Sequence, residues 1–233
     1  MKAVFFTLIT LGLATVGPLI FPAAQSGHGN LAALASNFLL PSIVLLAAVA
    51  VLARRRENWL SRSIVRGALA GAIATIALEI VRLLGFHFGY MPGNLPRLMG
   101  VLLLDRFAQG PSLASDFAGW AYHVWNGASF GIIYVLLIGT RRRWAGAVFG
   151  IAIGLGFLVS PVVISLGVGY FGLQFSYGFP ITVLLAHLAF GAALGVLSYR
   201  LLGPQPSRLI SALRATRCPT CSGLDGARSP ARN

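Results

Sequence analysis

The chain has 233 residues, of which 57% are hydrophobic and only 10% are charged, and its mean hydropathy is +0.81. This composition is typical of a bundle of membrane helices and excludes an ordinary soluble globular domain. The net charge of +13 also occurs in nucleic-acid-binding proteins, but here the arginines stand at the ends of apolar runs. We therefore expect a lipid bilayer, and no nucleic acid, as the partner of this chain.

Apolar stretches of about 20 residues recur along the chain, and each is long enough to cross roughly 30 Å of hydrocarbon as a helix. The predicted spans are residues 3–22, 31–53, 64–84, 117–139, 144–166 and 180–202. The sequence therefore predicts an all-α fold, a polytopic transmembrane helix bundle of about six spans. Its parts are two N-terminal helices in residues 1–56, a four-span core in 57–203 with a long outer loop at 85–116, and a tail in 204–233.

The basic residues indicate the orientation of the bundle. Most of them precede the first span or follow the second, fourth and sixth, as Lys2, the arginines at 54–66 and 141–143, and those from position 200 onward. Short loops rich in arginine and lysine stay in the cytoplasm. We expect both termini to be cytoplasmic and the protein to lie in a bacterial cytoplasmic (inner) membrane.

The first apolar stretch has a second interpretation. Lys2, an apolar run and small residues near Ala23 and Ala24 also occur in a cleaved signal peptide. A retained span is favoured, because the apolar part is long for a signal and two prolines interrupt its end. Cleavage would leave five spans with unchanged orientation.

Two segments outside the spans carry further expectations. Residues 98–104 in the outer loop are apolar but too short to cross, so they predict an interfacial or re-entrant helix. The tail is rich in Pro, Ser and Arg and is expected to be mostly disordered and cytoplasmic. Its Cys218 and Cys221 form a single CxxC pair, a weak candidate for metal or redox chemistry because two thiolates cannot complete a tetrahedral zinc site.

Glycines four residues apart predict faces on which another helix can approach closely. They are Gly67 and Gly71, Gly127 and Gly131, Gly146, Gly150 and Gly154, and Gly191 and Gly195. Two of these sets follow a histidine by one turn, in the pattern His-x3-Gly-x3-Gly at His123 and His187. The pattern indicates a weak internal repeat.

The same histidines belong to a predicted polar cluster in the outer half of the membrane. His123 and His187 each lie roughly 10 Å below the outer surface at about 1.5 Å per residue. Glu79 reaches a similar depth from the preceding span, with Arg82 on the same helical face. Asn126 lies one turn from His123, and ionisable residues in a span are costly enough to suggest a function.

Three interpretations of this cluster stay open. The first is an interhelical hydrogen-bond network without a ligand. The second is a site that handles protons or small cations, using imidazole and a buried carboxylate. The third is a divalent-metal or haem site with His123, His187 and Glu79 as ligands, where nearby glycines admit a flat macrocycle.

The segments "SIVRGALAGAIATIALEIVRLLG", "AGWAYHVWNGASFGIIYVLL", "RWAGAVFGIAIGLG" and "PITVLLAHLAFGAALGVLSYRLLG" resemble a broad group of uncharacterised bacterial four-span membrane proteins. The resemblance covers residues 62–203 and implies architecture, since the group has no settled activity. We expect a non-enzymatic protein that senses or conducts protons or small cations. The alternatives are a metal- or haem-binding membrane redox protein and a structural or stress-related component. Self-association or a partner membrane protein is compatible with each.

Overall fold

The computed structural model describes residues 2–56 and 58–217, and this part of the chain is helical without any strand. The helices are α1 (Lys2–Gln25), α2 (Leu31–Leu34), α3 (Leu40–Arg56), α4 (Asn58–His87), α5 (Leu95–Leu103), α6 (Leu113–Leu137), α7 (Trp144–Leu158), α8 (Pro161–Ser165), α9 (Gly178–Leu202) and α10 (Arg208–Arg217). A π-helical turn at Ala35–Leu39 joins α2 to α3, and a 3-10 turn at Tyr170–Gly172 precedes α9. The predicted all-α fold is confirmed.

Four helical segments of the described chain are long and apolar enough to cross a membrane. They are Val4–Gln25, Leu31–Arg55, Asn58–His87 and Gly178–Leu202. Two further helices fall at the other predicted spans. The 25 residues of α6 have sufficient length but include His123 and Asn126, whereas α7 is apolar but has only 15 residues.

The predicted span at 144–166 is wrong at its C-terminal end. The helix stops at Leu158, and the short α8 begins at Pro161. Proline has no N–H to donate and disfavours helical geometry at the residue before it, so the helix breaks at Ser160, which is extended.

Glycine contacts hold the central helices together. Along α4 and α6, Gly67 and Gly71 face Gly127 and Gly131. A Cβ on Gly71, Gly127 or Gly131 would overlap an atom of the opposite helix, and a Cβ on Gly67 would be in tight contact with the opposite backbone. The same arrangement recurs between α7 and α9, at Gly146, Gly150, Gly191 and Gly195. Helix α4 also packs along α9, so the two pairs form a four-helix centre with α1 against α6. Backbones at this separation gain dispersion contacts that do not depend on a hydrophobic effect.

Helix α5 covers one end of this centre. It packs on the first turns of α6, where Gly100 and Gly119 bring the two backbones together. An ion pair of Arg97 Nε with Asp116 Oδ1, at 3.0 Å, joins them at the surface. The Asn94 side chain accepts from Arg97 N and caps α5, so the predicted short helix forms at residues 95–103.

The opposite end carries the arginines. Arg66 Nη1 donates to Leu201 O at 2.7 Å, and the Arg143 guanidinium lies 4.0 Å from the centre of the Tyr199 ring. Thr140 donates through Oγ1 to Gly203 O. The basic loops after α3, α6 and α9 therefore meet at one end of the bundle.

The tail beyond α9 continues as α10, in which the Arg208 guanidinium lies 5.2 Å from the Trp59 ring. Burial and the neighbouring Arg62 lower the pKa of Arg208. The tail was expected to be mostly disordered, and its first part, Arg208–Arg217, is helical. The predicted CxxC pair, Cys218 and Cys221, lies outside the described residues.

Candidate functional site

Glu79 and Arg82 form a buried ion pair on α4. They lie three residues apart on one helical face, and Arg82 Nε is 2.8 Å from Oε1 and 2.9 Å from Oε2 of Glu79. Arg82 Nη2 also donates to Oε2 at 2.5 Å. Only 6% of Glu79 and 5% of Arg82 are exposed. Three charge-assisted contacts thus compensate a carboxylate that would otherwise be costly to bury.

His123 brings α6 to this pair. Its Nε2 lies 2.9 Å from Glu79 Oε1, an ion-pair distance across the glycine contact of α4 and α6. The ring is nevertheless turned so that Nε2 has no aligned hydrogen-bond partner among the described residues. The two atoms are therefore at hydrogen-bond distance, but their angles are not those of a hydrogen bond. Trp120 packs edge-on against the His123 ring, with ring centroids 6.1 Å apart.

His187 lies on α9 in a different environment. Its Nδ1 is 2.8 Å from Val183 O, and its ring stacks on Phe157 of α7 at 6.1 Å. A carbonyl oxygen only accepts, so this bond places the proton on Nδ1 and leaves Nε2 as an acceptor. No hydrogen bond of Nε2 is formed within the described chain. His187 is thus near the cluster without joining the contact of Glu79 and His123.

Asn126 and its neighbour Tyr122 connect α6 to α1. The Tyr122 hydroxyl donates to Gly17 O at 2.7 Å. Asn126 Oδ1 lies against Gly17 and is buried without a hydrogen-bond partner in the described residues. Tyr122 was not among the predicted site residues, and no sequence pattern indicates this bond.

A cavity of about 350 Å³ lies between α1, α4, α6, α7 and α9. Four predicted site residues line it: Arg82, His123, Asn126 and His187. Glu79 lies behind Arg82 and His123 and is not part of the lining. Most of the wall is apolar, including Phe21, Phe130, Phe157 and Phe190, and Leu95 and Met99 of α5 close one end. An apolar cavity with a few convergent polar groups is the usual form of a small-molecule site.

The donors do not form a three-ligand metal centre. Among the described residues, no group of three His, Cys, Asp or Glu side chains is placed to hold a metal ion. The predicted set of His123, His187 and Glu79 is therefore not assembled: His187 is separate, and the carboxylate oxygens of Glu79 are held by Arg82. Haem, unlike such a metal centre, can be held by one axial ligand from the protein. His187 Nε2 is chemically suited to be that ligand.

These features define an all-helical protein whose apolar helices suit a bilayer and surround a buried polar site. The chain belongs to a family of unknown function, DUF6789, which matches residues 61–209. The expected resemblance to an uncharacterised family is thereby confirmed. The matched segment runs from the first turn of α4 to the start of α10, and α1 to α3 lie before it. Comparisons with curated proteins and with solved structures give no match.

Proposed function

We propose that this protein is a multi-pass protein of the bacterial inner membrane that senses protons through the contact of Glu79 with His123. The observation that supports the proposal is the 2.9 Å separation of Glu79 Oε1 and His123 Nε2 inside the bundle. Imidazole is the side chain whose charge changes near neutral pH. Protonation of His123 would make this a contact between opposite charges and would favour a small rotation of the ring that directs Nε2–H at Glu79 Oε1.

Proton sensing fits the site better than conduction of metal cations. Arg82 occupies both carboxylate oxygens of Glu79, so a cation would have to displace an arginine that cannot lose its charge. The mostly apolar cavity wall offers few oxygen ligands to a dehydrated cation. Uptake of one proton by His123 instead changes the cluster from neutral to +1. Because α4 and α6 are in backbone contact there, that charge would act directly on their packing.

The orientation proposed for this function has six crossings with both termini inside. It counts α6 and α7 as spans and treats α5 as a non-crossing cover. The meeting of the arginine-bearing loops at one end supports it, since that end would face the cytoplasm. The Glu79 end would then face outward.

Cysteine labelling tests this orientation. In a chain with Cys218 and Cys221 replaced by serine, a membrane-impermeant maleimide should label Ser26→Cys in intact cells. It should label Arg141→Cys only after permeabilisation. Both positions are exposed, so access to the reagent depends on the side of the membrane. Labelling of both positions in intact cells would contradict the proposal.

Tryptophan fluorescence tests proton sensing directly. In a variant that retains Trp120 alone, the emission should be quenched as the pH falls, because imidazolium quenches indole more strongly than neutral imidazole. His123→Gln should abolish the pH dependence. Glu79→Gln should move its midpoint to lower pH, because the imidazolium loses its counter-charge and stays near Arg82.

The matched control is His187→Gln, which changes the repeat-related histidine without touching Trp120. Its titration should equal that of the parent. A parent without any pH-dependent quenching, or a response that survives His123→Gln, would refute proton sensing. Unchanged stability of the His123→Gln, His187→Gln double variant would then favour a structural component without a ligand.

A second candidate is a haem-binding membrane redox protein. The observation in its favour is the Nδ1 bond of His187 to a main-chain carbonyl, the arrangement that orients histidine ligands of metals. An absorption spectrum and metal analysis of the purified protein separate the two candidates. A Soret band lost in His187→Ala would promote the haem alternative.

A further inference from the structure

The cavity extends to the surface of the bundle on one side. Leu19 of α1 lines it and is 60% exposed, and Gly156 of α7 lines it and is also exposed. Helices α1 and α7 both border the cavity, yet α7 packs mainly on α9, and α1 packs mainly on α6. A Cβ built on Gly156 would have no heavy atom within 4 Å. The gap between α1 and α7 therefore forms a lateral mouth.

This mouth lies on a face that lipid would cover. Leu155 and Val159, on either side of Gly156, are exposed apolar residues, as is Leu19 across the gap. In soluble proteins such a patch would mark a contact surface, but on membrane-length helices it is the surface expected against acyl chains. A ligand that uses the mouth must therefore be soluble in the bilayer.

The polar atoms in the cavity are suited to a ligand that has one hydrogen-bond acceptor and one hydrogen-bond donor. Arg82 uses Nε and Nη2 for Glu79, which leaves Nη1 without a hydrogen bond in the described chain. His187 Nε2 is left as an acceptor by the Nδ1 bond to Val183 O. The charge of Arg82 is already offset by Glu79, so a neutral ligand suits the cavity better than a full anion.

The walls favour a planar ring. Phe130, Phe157 and Phe190 border the cavity, and Phe157 is already stacked on the His187 ring. Aromatic faces and edges bind flat rings by offset or edge-on packing. A volume of about 350 Å³ holds a substituted ring system, and a long alkyl chain attached to it would leave through the mouth.

We propose that the cavity binds a lipid-soluble quinol, which enters between α1 and α7 and places one ring oxygen at Arg82 and one hydroxyl at His187. One quinol oxygen accepts from Arg82 Nη1, and the opposite hydroxyl donates to His187 Nε2. The proposal concerns binding alone and does not depend on proton sensing by His123.

Binding of decylubiquinol to the full chain in lipid nanodiscs tests the proposal. Under oxygen-free conditions, the quinol should quench the protein's tryptophan fluorescence saturably, at one molecule per chain. Gly156→Phe should remove the saturable phase, because the phenyl ring fills the mouth. The matched control is Gly12→Phe on α1, where a Cβ also has open space but does not line the cavity. It should bind like the parent.

His187→Leu tests the assigned acceptor. Loss of one hydrogen bond should weaken binding by about three- to tenfold. n-Dodecanol, which has a hydroxyl and a chain but no ring, should displace the quinol poorly. Absence of saturable quenching in the parent, equal binding by Gly156→Phe and Gly12→Phe, or equal competition by dodecanol would each overturn the proposal. An unaltered affinity in His187→Leu would overturn the placement of the hydroxyl. Circular dichroism and size-exclusion profiles verify that the variants fold.

Discussion

Removing one member of the Glu79–Arg82 pair should have unequal effects, depending on which member is removed. Glu79→Gln leaves the Arg82 guanidinium buried with no anion beside it. Arg82→Met leaves the Glu79 carboxylate buried, but His123 Nε2 lies 2.9 Å away and can supply a positive charge. The two single variants should therefore differ in stability, because His123 can compensate the charge of Glu79 but not that of Arg82.

The size of the effect follows from the burial of both groups. Only 5–6% of either residue is exposed, and breaking a buried ion pair by removing one partner typically costs about 3–5 kcal/mol. We expect Glu79→Gln to lower the free energy of unfolding by this full amount, about 3–5 kcal/mol. Arg82→Met should lose about half as much in mildly acidic solution, because protonated His123 compensates the carboxylate. The double variant Glu79→Gln, Arg82→Met leaves no unpaired charge and should fall within about 1–2 kcal/mol of the parent.

Equilibrium unfolding by sodium dodecyl sulfate in mixed micelles measures these differences at several pH values. In Arg82→Met the folded state takes up a proton on His123 that the unfolded state holds less firmly. Stability should therefore rise as the pH falls. The triple variant that adds His123→Gln is the control and should lose this dependence. Additive losses in the double variant, or a pH-independent Arg82→Met, would refute the three-membered cluster.

Two further pairs of variants test the packing around the site by the same unfolding measurement. Gly71→Leu should cost at least about 3 kcal/mol or prevent folding, because its Cβ would overlap the backbone of α6, whereas Gly12→Leu should be nearly neutral. Equal stabilities would contradict the close helix contact. Tyr122→Phe should lose about 1 kcal/mol with the bond to Gly17 O. Tyr134→Phe should lose less stability, since the Tyr134 hydroxyl is 3.5 Å from its acceptor, Arg142 O. A larger loss in Tyr134→Phe than in Tyr122→Phe would contradict the hydrogen bond assigned to Tyr122.

The position of a residue along its helix can be counted from the sequence, but the direction in which its side chain points around the helix cannot. Counting residues from the ends of the spans placed Glu79, His123 and His187 at one level, and the i, i+3 spacing predicted the pairing of Arg82. Whether His187 faces Glu79 depends on how α9 is rotated against α4 and α7. Glycine contacts at Gly150 and Gly191 determine that rotation, and they place His187 beside Phe157.

No sequence pattern predicted the cavity. It exists because α1 packs on α6 and α7 packs on α9, which leaves a gap between the first and fifth long helices of the chain. A pattern of apolar residues indicates that a helix is buried in protein or lipid, but it does not distinguish these neighbours. The side of α7 that carries Gly156 was therefore indistinguishable from an ordinary lipid-facing surface.

The two copies of the His-x3-Gly-x3-Gly pattern show how one backbone arrangement can carry two kinds of chemistry. In each copy, glycines bring a histidine-bearing helix into contact with a partner, α6 with α4 and α9 with α7. About two turns beyond these glycines, Glu79 of α4 lies beside His123, whereas Phe157 of α7 stacks on His187. The first copy therefore places a carboxylate beside its imidazole, and the second places an aromatic ring there and leaves Nε2 as an acceptor. A cavity with a charged group on one side and a neutral acceptor on the other would bind an asymmetric ligand in one orientation.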